Sequence, residues 1–152
     1  MNYTLSQVPE RTQKPRNAGI TMVMDKGLSL RETEDMLSTS SEYIDVVKLG
    51  WATSYVTPNI QEKLAIYKSA DIPVYFGGTL FEAFVVRNQF EDYLRVLDKF
   101  DLGMAEVSDG SITLPHDEKC EYIRKLATHV KVLSEVGSKD AEKIFAPYKW
   151  IA

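Results

Sequence analysis

The chain has 152 residues and a formal charge of −4, from 18 Lys and Arg against 22 Asp and Glu, with 44% hydrophobic and 26% charged residues. That balance predicts one globular domain and excludes a disordered chain; it also disfavours a nucleic-acid binder, which would carry a basic surplus or stripe. No apolar run approaches the roughly 18 residues of a membrane span, Met1 to Arg16 has no signal-peptide core, and the lone cysteine, Cys120, excludes an internal disulfide and fits a reducing cytoplasm.

Along the chain, short runs rich in Val, Ile and aromatic residues alternate with longer segments of helical period. The first run is Ala18 to Asp25. Ser29 and Glu32 then form a capping box ahead of Leu30 and Leu37. The second run is Tyr43 to Trp51, followed by Thr57 as the cap of a helix with Pro58 at its first position and Ile60, Leu64 and Tyr67 on one face. Pro73 to Gly78 is the third run, and Phe90, Tyr93, Leu94 and Leu97 follow it at i, i+3, i+4, i+7 spacing. The fourth is Met104 to Gly110, before a helical stripe of Ile123, Leu126, Ala127 and Val130. The fifth is Lys131 to Gly137, followed by a loop from Ser138 to Ala146 and by Pro147 at the opening of a further helix.

The runs have continuous apolar cores, as parallel strands covered on both faces do, and their alternation with helices predicts βαβ units and a parallel sheet. Strand ends fall near Asp25, Gly50, Gly78, Asp109 and Val136, in steps of 25, 28, 31 and 27 residues. A (β/α)8 TIM barrel uses roughly 250 residues, about 31 per unit. The expected fold is therefore a TIM-barrel-type α/β chain of about five βα units. Its first and fifth strands would present open edges, which favours self-association or a homo-oligomer.

Parallel α/β folds bind ligands at the C-terminal ends of their strands. All five runs deliver charged groups there: Asp25, Lys48, Glu82, Glu106 with Asp109, and Glu135 with Lys139. The carboxylates make an oxygen-rich rim suited to Mg²⁺, and the lysines can neutralise an anionic substrate. Plainer roles exist for the same residues. Glu106 or Glu135 can be an ion-pair partner of Lys48, Gly77-Gly78 and Asp109-Gly110 can be turns, and Trp51 can be core or pocket wall. His116 and His129 read as surface residues, and Cys120 has no evident histidine partner. There is no G-x-G-x-x-G, Walker loop, nucleophile elbow or zinc spacing.

The strand-end stretches resemble the phosphosulfolactate synthase (ComA) family. They are Lys14-Pro-Arg16, Asp25-Lys-Gly27, Tyr43-Ile-Asp45, Lys48-Leu-Gly-Trp51 with Thr53-Ser54, Gly77-Gly-Thr-Leu-Phe-Glu82, Glu106-Val-Ser-Asp-Gly-Ser111 and Ser134-Glu-Val-Gly-Ser-Lys-Asp140, with Ala52 where a glycine is expected. The resemblance implies a TIM-barrel lyase that adds sulfite to phosphoenolpyruvate with Mg²⁺, giving phosphosulfolactate for coenzyme M or other sulfonates. It implies Lys139 as the acid, Lys48 as a contact to the substrate carboxylate, Ser54 and Ser108 as further substrate contacts, and Asp25, Glu82, Glu106 and Glu135 as metal ligands, directly or through water. A plant branch of the family resembles a heat-stress protein, so non-catalytic membership, or an inactive fragment, is the alternative. Barrel phosphate sites use the loops after strands 7 and 8, which leads us to expect no turnover from these five units alone.

Overall fold

The computed structural model describes Tyr3 and residues 5–137. The expectations for Ser138 to Ala146, Lys139 and Pro147 lie outside the described residues.

Each of the five apolar runs contains a strand: β1 (Met22–Asp25), β2 (Val46–Leu49), β3 (Val74–Phe76), β4 (Met104–Val107) and β5 (Lys131–Ser134). Each is shorter than its run, because polar contacts claim the flanks. Gly19 sits at φ 65°, ahead of β1. Tyr43 lies in a 3-10 turn, Ser41–Tyr43, rather than in β2. The carbonyls of that turn accept hydrogen bonds from Lys14, Arg16 and Arg11. Arg16 also pairs with Asp45 at 2.8 Å, and so binds the approach to β1 onto the start of β2.

All pairing is parallel, but the strands form two ladders, β1-β2-β3 and β4-β5, rather than one five-stranded sheet. No closed barrel is formed among the described residues. β3 lies beside β4 without a ladder between them. β3 has only three residues and Pro73, which has no N–H, precedes it. Side chains from the strand ends bridge this seam instead.

Among the described residues six helices connect the strands: α1 (Leu30–Ser40), α2 (Thr53–Val56), α3 (Ile60–Ser69), α4 (Gly78–Val85), α5 (Phe90–Lys99) and α6 (His116–Ala127). The Ser29–Glu32 capping box is present, with bonds of 2.8 and 3.2 Å. Thr57 does not cap α3, whose N-cap is Asn59. It closes α2 instead, with its hydroxyl donating to the Thr53 carbonyl at 2.8 Å. The residue before a proline is pushed to extended backbone, and Thr57 adopts φ −75°, ψ 114°. Helix α4 had no sequence-level signature. Leu80, Phe81, Glu82 and Val85 are all buried, so a helix apolar on most sides shows no clean stripe.

In-register partners share a face of a sheet. Asp25, Leu49 and Phe76 are one such row, and Met24, Lys48 and Tyr75 are partners one residue earlier, on the opposite face. The helices cover the first face, where Val47, Leu49, Phe76, Tyr67, Phe81 and Leu126 are all at or below 1% exposure. On the opposite face Met22 and Met24 remain exposed. That face therefore carries both apolar side chains and the charged groups described next.

Candidate active site

Lys48 enters from the third position of β2 and crosses the seam to β4. Its ammonium lies 2.8 and 2.7 Å from the two oxygens of Glu106, and both side chains are nearly buried. The Gly78 N–H, at the first residue of α4, donates to Glu106 Oε2 at 2.6 Å. Glu135, just past β5, brings a third charge: its Oε2 is 3.6 Å from Lys48, and its side chain is 36% exposed. The plainer reading of Lys48 as an ion-pair partner of Glu106 and Glu135 is thus realised. The pair closes the β3–β4 seam, and Glu135 is the member of the cluster most open to solvent.

Two glycines are required by this closeness. A Cβ on Gly77 would stand 2.8 Å from Lys48 Cε, and one on Gly78 would stand 2.6 Å from Ser108 Cβ. Neither glycine has positive φ, so space rather than backbone freedom selects them. They open α4 rather than forming only a turn.

Glu82 is buried on α4, with both oxygens engaged by the loop after β4. One accepts the Ser108 hydroxyl and the other the Ser111 N–H at 3.1 Å. That loop is also held by Lys119, whose ammonium donates to Asp109 and to the Glu135 carbonyl, each at 2.7 Å. Glu82 and Lys119 together fix the ends of β4 and β5. Ser54 is buried on α2, and its hydroxyl has no hydrogen-bond partner among the described residues.

Asp25 stands apart from this group. Its parity in β1 turns it to the helix-covered face, where Lys63 Nζ approaches to 2.7 Å and the Tyr67 hydroxyl donates at 2.9 Å. The Gly27 and Leu28 N–H groups complete the set at 2.8 Å each. Burial alone would raise its pKa, but the Lys63 bond, the two backbone donors and Tyr67 outweigh it and hold the carboxyl below its ordinary range. Burial and the Asp25 charge push the Tyr67 phenol up in turn.

Of the residues singled out by sequence, the structure gathers Lys48, Glu106 and Glu135, places Glu82 and Ser108 immediately beside them, and separates Asp25. Lys139 lies outside the described residues. Among the described residues no three His, Cys, Asp or Glu side chains gather closely enough to hold a metal ion. Three participants escaped sequence reasoning: Lys63, Lys119 and Tyr75. Lys63 and Tyr67 share an i, i+4 row of α3, a signal that was present. Two smaller expectations are corrected. His116 is half-buried rather than on the surface, and its Nε2 lies 3.6 Å from Cys120 Sγ, so the cysteine does have a histidine neighbour. Their spacing of four places them on one face of α6. Trp51 is 59% exposed and is not core.

The family model described as (2R)-phospho-3-sulfolactate synthase (ComA) matches residues 9–152. A phosphosulfolactate synthase from Bacillus subtilis is 40% identical over 142 residues, 93% of this chain and 56% of that protein. One from Methanothermobacter thermautotrophicus is 38% identical over 138 residues, 89% of this chain and 54% of its own. One from Methanocaldococcus jannaschii is 39% identical over 128 residues, 82% of this chain and 51% of its own. The chain spans about half the length of these curated relatives. With the family model covering nearly all of it, the chain belongs to the phosphosulfolactate synthase (ComA) family.

Proposed function

We propose that this chain carries the N-terminal part of a site that adds sulfite to phosphoenolpyruvate. The observation that supports this most is the Lys48 cluster at the strand ends. Its ammonium is fixed by Glu106 and is approached only loosely by Glu135. A small carboxylate can take the place of Glu135 on the outer side of the lysine. In the reaction, sulfite sulfur forms a bond to C3 of phosphoenolpyruvate, and the electrons of the double bond move toward C2 and the carboxylate. A cation against that carboxylate stabilises the developing charge. Lys139 is the proposed donor of the proton that C2 then takes up. Ser54, buried with an unengaged hydroxyl, is a proposed substrate contact. Ser108 acts through Glu82, whose carboxylate its hydroxyl engages.

Magnesium is the proposed cofactor of the family reaction, but the described residues do not fit direct ligation. Asp25, Glu82 and Glu106 each have both oxygens engaged by protein donors. Only Glu135 has an open side, and one carboxylate with waters is a minimal magnesium set.

The test is sulfite-dependent loss of phosphoenolpyruvate, with and without Mg²⁺. We expect no turnover by the 152-residue chain alone and turnover once it is joined to the remaining half of its Bacillus subtilis relative. In that joined protein, Lys48→Met and Lys139→Ala should each lower kcat by about 10²-fold or more, the usual scale for a displaced charge stabiliser or proton donor. Near-normal rates in either variant would overturn the role assigned to that lysine. Robust turnover by the short chain would overturn the expectation that phosphate contacts come from later loops.

A further inference from the structure

Almost every polar side chain around the cluster has its protein partner. Lys48 holds Glu106, Glu106 also takes Gly78, Glu82 takes Ser108 and Ser111, and Lys119 holds Asp109. Tyr75 does not fit this pattern. It is the in-register partner of Lys48 on the neighbouring strand, so the two side chains leave the same face about 4.8 Å apart at the backbone. The residue is 1% exposed. Burial, and after it the charges of Glu106 and Glu135, push its phenol up. It therefore keeps its proton at physiological pH and can donate it in a hydrogen bond. No hydrogen bond to its hydroxyl is formed among the described residues. A phenylalanine would fill the same space, which makes the hydroxyl on the strand beside Lys48 the feature that needs a reason.

We propose that the Tyr75 hydroxyl is a ligand-binding donor of this site, bonding to an oxygen of the small carboxylate-bearing anion that Lys48 holds. The inference rests on the reading of Lys48 given above. An anion that takes the place of Glu135 on Lys48 arrives beside the neighbouring strand, within reach of the phenol. Two donors of different kinds then meet one anion: a point charge, and a directional O–H that is uncharged and adds no repulsion toward a second anionic substrate. Tyr93 supplies the contrast. Its hydroxyl is buried with no partner among the described residues, but it lies on α5, edge-on to Phe81 and tilted against Phe84.

The experiment is an NMR titration of the 152-residue chain, labelled with ¹³C at tyrosine Cζ, with phosphoenolpyruvate. Wild type, Tyr75→Phe and Tyr93→Phe are compared, with thermal melts of each. The proposal expects the Tyr75 resonance to move with saturation, Tyr75→Phe to bind about tenfold more weakly, and Tyr93→Phe to bind like wild type. Saturable wild-type binding that Tyr75→Phe changes by less than about twofold, or that leaves the Tyr75 resonance still, would overturn the assignment while leaving the Lys48 reading standing. Absence of saturable binding in wild type would overturn both. If Tyr75→Phe does not fold, the wild-type resonance decides alone.

Discussion

Two lysine–carboxylate pairs lie at strand ends of this chain, and they do opposite things. Lys63 and Asp25 face the helices, at 2% and 0% side-chain exposure, and Asp25 takes four donors in all. Lys48 and Glu106 face the other side, at 11% and 7%, with the half-exposed Glu135 nearby. The first pair is closed: every oxygen has a partner, and nothing can approach without breaking one. The second is held firmly on one side and loosely on the other. The residue types are the same and so is the end of the sheet. What differs is a single step of strand parity, Asp25 aligned with Leu49 and Phe76, Lys48 with Met24 and Tyr75. A carboxylate at a strand end is therefore not in itself a site residue; the face it leaves by decides.

The largest expected effect separates the two pairs by stability. Lys63→Met strands the Asp25 charge in a dry setting, and removal of one partner from a buried pair costs about 3–5 kcal/mol. Lys48→Met leaves Glu106 its Gly78 bond beside the half-open Glu135, and should cost only about 1–2 kcal/mol. Denaturant unfolding of both variants checks the ranking, and equal losses would remove the distinction drawn here. Converting the closed pair to apolar residues, Asp25→Leu with Lys63→Met, should recover most of the single-variant loss, as buried ion pairs replaced whole often do.

The same contrast has a pH signature. Asp25 is held below its ordinary value of 3.8, so the folded state binds its proton less readily than the unfolded chain does. That stability is fully present above the unfolded value and is lost as pH falls below it. Tyr67 runs the other way. Its raised pKa contributes stability below its ordinary value of 10.0, and this fades as pH rises past it. Melting curves should fall off at both limits, and in Asp25→Asn the acid decline should be shallower than in wild type. An unchanged acid limb would show that Asp25 does not carry it.

Much of this could be read from residues alone, and the failures have a common cause. The five strands and α1, α5 and α6 follow from apolar runs, a capping box and clean helical stripes, all of which are local. The strand-end charges were legible for the same reason. The face each one takes was not, because strands with continuous apolar cores have no polar alternation to reveal parity. Lys63 and Lys119 look like ordinary surface lysines in their helices, and only the tertiary positions of Asp25 and Asp109 turn them inward. Helix α4 was hidden by its own burial. Thr57 went to α2 because Pro58 sets its backbone, a local rule that outweighed a local cap.

The smallest expected effect tests how far an unengaged hydroxyl can be read as a signal. Tyr93 and Tyr75 are both buried tyrosines whose phenols are pushed up, first by burial and then by the charge of Glu106. Their surroundings differ: Tyr93 sits against Phe81 and Phe84, whereas Tyr75 is the strand neighbour of Lys48. If the Tyr93 hydroxyl serves no partner, deleting it relieves a desolvation penalty and leaves the ring packing intact. Tyr93→Phe should then stabilise the chain by about 1 kcal/mol in denaturant unfolding. Destabilisation instead would mean that the hydroxyl has a bonding role in the folded chain. The lack of a protein partner would then no longer be enough to mark Tyr75 as a ligand donor, and its case would rest on the titration alone.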